Sequence, residues 1–198
     1  VSGGGVDTTA PPTVAALYVE TNGVYFNLPG VDPWDEARDA RLYAGPWPVV
    51  AHPPCEAWSI FAPVREKKHG LPRGEDGGCF AAALAAVRRW GGVLEHPAYS
   101  RAWATFGLSR PASSGAWSQT LDGEWFGEVN QTAYGHRMNK PTWLLYCGSE
   151  PPMPLRAEHP YGIRFHAAWG KDRRRSTSPE AFRDVLLSMA RTAGRVAA

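Results

Sequence analysis

Two short apolar segments, Pro48 to Ala51 and Val93-Leu94, each run without a break into a proline-containing polar loop. The first enters His52-Pro53-Pro54-Cys55 and the second Glu95-His96-Pro97. Between them lies Cys79 to Trp90, a run of Ala, Leu and Val built from strong helix formers and closed by Gly91-Gly92. A strand, a helix and a second strand in this order imply a parallel βαβ unit. Proline cannot donate to a strand ladder, so both strands should end abruptly. Cys55 and Glu95 should then leave the same edge of one sheet, where open α/β sheets bind their ligands.

The rest of the chain is read around this unit. Residues 1–13 read as a disordered leader and 14–198 as a single α/β domain. With 198 residues, 43% of them hydrophobic, the chain can bury a core. Ala15 to Val19 and Val24 to Leu28 are expected strands joined by an Asn22-Gly23 turn, and Asp35 to Tyr43 is an expected short helix. Residues 62–78 read as a basic loop and 98–128 as irregular; Phe126–Asn130 and Thr142–Cys147 are expected strands. Residues 150–178 read as loop, and Ser178 should cap a last helix that begins at Pro179.

The net charge of +2 makes composition a weak argument for nucleic acid. The basic residues are nonetheless clustered, at Arg65, Lys67, Lys68, His69 and Arg73 and again at Lys171 and Arg173 to Arg175. Three cysteines without a CxxC pair suggest neither a disulfide framework nor a zinc site. No signal peptide is recognisable, and no stretch approaches the roughly 18 apolar residues of a membrane span, so a soluble cytoplasmic protein is expected.

The residues that carry chemistry are Cys55, whose thiolate would attack soft carbon, and Glu95, a carboxyl suited to proton transfer. A third segment, Gln131 to Lys140, places His136, Arg137 and Lys140 after a glycine turn and before a strand, where basic side chains can hold a phosphate or a polar base edge.

In order and approximate spacing, Pro54-Cys55, Glu95-His96-Pro97 and Gln131 to Lys140 resemble the Pro-Cys, Glu-Asn-Val and Gln-x-Arg-x-Arg motifs of cytosine-C5 DNA methyltransferases. The resemblance covers roughly residues 45–147 and looks closest to small methyltransferase-like proteins of phages and prophages. It implies a reduced Rossmann-like core, an open and mostly parallel sheet with flanking helices. It also implies a Cys55 adduct at C6 of cytosine, or of a modified cytosine, with Glu95 acting at N3 and C5 then taking a methyl or other one-carbon unit or exchanging a substituent. Pro54, Trp58, His96, Gln131, His136, Arg137 and Lys140 would hold the substrate, with Trp103 and Trp117 as further stacking candidates. The implied cofactor is S-adenosylmethionine. The family's Phe-x-Gly-x-Gly loop is missing, Asn22, Gly23 and Asp32 stand nearest to that role, and binding by the isolated chain is expected to be weak or absent. The implied partners are DNA or a cytosine nucleotide, and an enzyme of a base-modification pathway. The rival readings are a non-catalytic module that binds DNA or a partner, and a Cys–His hydrolase pairing Cys55 with His52, His96 or His136.

Overall fold

A computed structural model describes residues 13–59, 62–70, 72–108, 110–111, 115–149, 152–156 and 178–193, without the side chains of 64, 65, 68 and 69. The expected leader, Thr13 apart, and the basic run at 171–175 lie outside the described residues. The strands are β1 (Val14–Leu17), β2 (Val31–Trp34), β3 (Val49–Ala51), β4 (Gly92–Pro97), β5 (Trp117–Gln119), β6 (Trp125–Asn130) and β7 (Pro141–Cys147). The α-helices are α1 (Ala62–His69), α2 (Cys79–Trp90), α3 (Arg101–Thr105) and α4 (Glu180–Thr192).

Among the described residues all strands join one seven-stranded sheet in the order β2-β1-β3-β4-β7-β6-β5. Strands β2, β1, β3 and β4 run parallel to their neighbours. From β4 onward every pairing is antiparallel. This corrects the expectation of an open, mostly parallel, Rossmann-like sheet flanked by helices: the sheet is mixed and carries few helices. The physical reason lies in the connections. A parallel return needs a crossover of a dozen or more residues, normally a helix. Between β6 and β7 there is only Gln131 to Lys140, which opens with the 3-10 turn Gln131–Tyr134, so β7 comes back antiparallel.

Both faces of the central strands are covered. Ala15, Leu17, Val49, Ala51, Leu94, Trp143 and Leu145 pack with α2, while Val14, Ala16, Val50, Val93, Leu144 and Tyr146 pack with α4. Alternation along a strand sends successive side chains to opposite faces, and two buried faces make the central strands almost wholly apolar. Among the described residues no helix is long and apolar enough to cross a membrane.

Several local expectations change. The second strand is Val31–Trp34 rather than Val24 to Leu28. It contains Pro33, which a sheet accepts here because β2 lies at the edge. Asp35 to Tyr43 forms two 3-10 turns, not one helix, broken at Asp39, which sits at φ +48° and accepts a hydrogen bond from the backbone N–H of Arg41. Part of the expected basic loop is α1, ended at Gly70. The last helix begins at Glu180, with Pro179 rather than Ser178 at its cap.

Candidate active site at the carboxyl ends of β3 and β4

The register Ala51↔Leu94 decides the site. It leaves His52, the first residue past β3, beside Glu95, and His52 Nδ1 meets Glu95 Oε2 at 2.8 Å. Glu95 and His96 therefore lie within β4 and not in a loop after it, as sequence had suggested. Being consecutive on a strand, they face opposite sides of the sheet. His96 packs in the α2-side core against Phe80 and Trp103, and its Nε2 meets Ser100 Oγ at 3.0 Å. It is fully buried and so belongs to the core rather than facing a substrate.

Glu95 is 7% exposed, and both of its oxygens are engaged. Gln131 Nε2 donates to Oε1 at 3.2 Å and also to Thr142 Oγ1 at 3.1 Å. On the far side of the imidazole, the Tyr25 hydroxyl meets His52 Nε2 at 2.8 Å. A continuous chain Tyr25–His52–Glu95–Gln131–Thr142 thus crosses from the β1–β2 connection to β7. Sequence reading had no signal for Tyr25 or Thr142. For His52 the sequence carries one, an imidazole between a strand end and the Pro-Pro-Cys turn, which on sequence alone points only to a hydrolase.

Cys55 is half-buried, on the turn whose carbonyl accepts from the Trp58 N–H at 3.1 Å. Burial pushes its thiol up to about 11; the charges of Glu56 and Glu95 add to the rise and Lys140 opposes it. The free site therefore holds a protonated thiol at neutral pH. For Glu95, burial acts upward, but the hydrogen bond and charge of His52, followed by Lys140, win and bring it down to about 2. Lys140 thus acts electrostatically on both Cys55 and Glu95, and its carbonyl accepts from the Gln131 N–H at 3.1 Å, closing the β6–β7 connection.

The remaining expected site residues are distributed less favourably. Trp58 is buried, donates to Asp76 Oδ2 at 2.8 Å and packs on Phe80 and Phe106; Trp103 is core. Neither is presented for base stacking. His136 is buried with Nδ1 held to the Met138 backbone, whereas Pro54 and Arg137 are exposed. His52 has both ring nitrogens engaged by Tyr25 and Glu95, which leaves no imidazole edge for a Cys–His hydrolase pair at that position.

The residues nearest to a cofactor role do not fit S-adenosylmethionine. The Asp32 carboxylate is bound by Arg38 at 2.5 Å and by Trp34 Nε1 at 2.8 Å, so it is not offered to a ribose. The Asn22-Gly23 turn folds back on itself, with the Gly23 N–H on the Glu20 carbonyl at 2.8 Å. After β1 no helix N-terminus follows; the chain goes through turns straight to β2.

The held carboxylate makes a prediction. A carboxyl whose folded pKa is depressed contributes stability that is present above its ordinary value and lost as pH falls through the folded one. For Glu95 the window runs from 4.5 down to about 2. Urea denaturation across that range should show the wild type losing stability more steeply than Glu95→Gln; parallel curves would mean that the contact with His52 does not hold the carboxylate ionised.

Comparison with protein families, with curated proteins and with solved structures returns no match to this chain.

Proposed function

We propose that the chain modifies a cytosine base at C5 by covalent catalysis, Cys55 adding to C6 and Glu95 holding the N3/N4 edge. What supports this most is that Cys55 and Glu95 stand at the carboxyl ends of neighbouring parallel strands, with the carboxylate braced by His52 and Gln131. The thiol hydrogen and sulfur add across the ring: sulfur bonds to C6, and the proton is accounted for at N3, beside the Glu95 carboxylate. C5 then becomes an enamine carbon able to take an electrophile. Since Asp32, Asn22 and Gly23 do not suit S-adenosylmethionine, the favoured outcome is exchange at C5. The simplest case swaps the C5 hydrogen with solvent. With a 5-hydroxymethyl group, protonation at C5 followed by cleavage of the exocyclic C–C bond releases formaldehyde, and loss of Cys55 restores cytosine.

A single-stranded oligonucleotide carrying 5-azacytosine tests the first step. Nitrogen in place of C5 takes a proton after attack, and the adduct reverts slowly. The expected result is a protein mass raised by one oligonucleotide, attached at Cys55. Absence of an adduct under conditions where the oligonucleotide binds would sink the proposal. It would favour the second reading, a non-catalytic binding module.

A further inference from the structure

The hydrogen-bond chain through Glu95 has a direction, and its donors and acceptors fix it. Glu95 is held well below the usual carboxylate range, so at neutral pH it has no hydrogen to give. Its 2.8 Å contact with His52 therefore needs a hydrogen on Nδ1. At the other ring nitrogen, Nε2 meets the Tyr25 hydroxyl at 2.8 Å. Tyr25 is 4% exposed, and among the described residues its hydroxyl has no other hydrogen-bond partner. Burial, followed by the Glu95 charge, pushes its phenol well above the ordinary value, so the hydroxyl keeps its hydrogen and gives it to Nε2. A second proton on the imidazole would set Nε2–H against O–H and leave a buried hydroxyl hydrogen without an acceptor. The backbone that presents Tyr25 is itself fixed, because Arg183 of α4 donates to the Val24 carbonyl at 3.0 Å. From the other end Gln131 Nε2 donates to both Glu95 Oε1 and Thr142 Oγ1, and Thr142 Oγ1 donates to the Lys140 carbonyl at 3.2 Å. Donors thus converge on Glu95 from both sides of the sheet's parallel-to-antiparallel boundary.

We propose that Tyr25 is a positioning residue for Glu95: its hydroxyl pins the His52 imidazole in the neutral form with hydrogen on Nδ1, which keeps Glu95 an acceptor-only carboxylate. The catalytic consequence rests on the cytosine reading above, in which such a carboxylate receives the N4 amino hydrogen and then the hydrogen that arrives on N3. Without the pin, the tautomer with hydrogen on Nε2 turns a lone pair toward Glu95 Oε2, and the carboxylate loses its brace. The other charged or titratable groups around the chain are Lys140 and His96, which act on Glu95, and Arg183 and Asp184, which act on Tyr25. Burial pushes His96 down to about 4, so it is uncharged at neutral pH. The His52 charge that helps to hold Glu95 down belongs to the acid range in which Glu95 itself titrates.

Nitrogen-15 NMR of the histidine rings at neutral pH reads the tautomer directly. The His52 signal is assigned among the six histidines by its loss in His52→Asn. Wild type should show hydrogen on Nδ1 and a bare Nε2 whose shift is that of a nitrogen accepting a hydrogen bond. Tyr25→Phe keeps the ring that lies 5.3 Å from the imidazole and removes only the donor. It should convert the signal to a mixture of tautomers and slow formation of the 5-azacytosine adduct roughly tenfold, the worth of about one hydrogen bond. In His52→Asn the amide donates from the Nδ1 position without any tautomer, so the cost of adding Tyr25→Phe should vanish. Hydrogen on Nε2 or on both nitrogens in wild type, a bare Nε2 that accepts nothing, a Tyr25→Phe protein with the wild-type tautomer, or an equal cost of Tyr25→Phe in both backgrounds would each overturn the role. The first two of these are read on wild type, so they decide even if Tyr25→Phe fails to fold, which circular dichroism melting checks. The expected tautomer without any adduct in wild type leaves Tyr25 acting on Glu95 and sinks the cytosine chemistry; an adduct formed with hydrogen on Nε2 does the reverse.

Discussion

Cys55→Ser should bring C5 exchange and adduct formation down to background while leaving the melting temperature within a degree or two of wild type. A serine hydroxyl is a far weaker nucleophile toward soft carbon than a thiol, so nothing else at the site can replace the attack at C6. Stability should hold because Cys55 is half-buried on a turn, and the contact that fixes this turn is a backbone one, the Trp58 N–H on the Cys55 carbonyl. The stiffness of Pro53 and Pro54 is untouched by the change. The other cysteines behave oppositely. Cys79 is the first residue of α2 and Cys147 is buried at the end of β7 with its Sγ 3.8 Å from Glu124. Cys79→Ser and Cys147→Ser should retain exchange, the second with some loss of stability. Deuterium uptake at cytosine C5, read by mass, together with thermal melting of the variants, decides the matter. A Cys55→Ser protein that still exchanges, or one that fails only by unfolding, would make Cys55 a packing residue.

The parts of this structure that were legible in the sequence are those where one signal sufficed. Pro48 to Ala51, Cys79 to Trp90 and Thr142 to Cys147 are long or apolar enough to identify alone, and they became β3, α2 and β7 within a residue or so. The nearness of Cys55 and Glu95 followed from the helix between two parallel strands. What was not legible depended on pairing. That β7 runs antiparallel to β6 follows from the shortness of the connection between them, a signal present in the sequence but outweighed by the βαβ pattern upstream, whereas its antiparallel pairing with β4 is set by no local signal. That Glu95 lies within β4 depends on β7 extending the ladder past the end of β3, so that Glu95 pairs with Leu144 when it no longer has a β3 partner. Tyr25 reaches His52 from a connection of turns, and nothing in Val24 to Leu28 distinguishes that ring from any other aromatic. Trp58 and Trp103 show the converse: their type suggested base stacking, and burial used them as core.

Gly92→Ala should produce the largest loss of stability of any single methyl added to this chain's described glycines. In sequence Gly91-Gly92 looks like a single helix cap, but the two residues play different parts. Gly91 ends α2, its N–H on the Val87 carbonyl at 2.9 Å. Gly92 opens β4 opposite both Val49 of β3 and Cys147 of β7, in the middle of the sheet. Its φ is +112°, and a Cβ there would come within 2.0 Å of the Val49 carbonyl oxygen and 2.7 Å of the Val49 nitrogen. These are backbone atoms in a paired strand and cannot turn aside as a flexible side chain would. Relief requires moving β3 from β4, which breaks the register that sets His52 beside Glu95. Strain and lost pairing together should cost about 3 kcal/mol or more, a large share of the roughly 5–15 kcal/mol that holds a domain folded. Gly107→Ala separates conformation from contact: its φ is +77°, but no atom lies within 4 Å of the added methyl, so only the left-handed backbone is penalised, by about 1–2 kcal/mol. Urea midpoints of the two variants should therefore differ clearly, with Gly92→Ala lower or already unfolded in buffer. Equal midpoints would mean that β3 and β4 do not approach as closely as the site requires, and the His52–Glu95 pair would lose its structural basis with them.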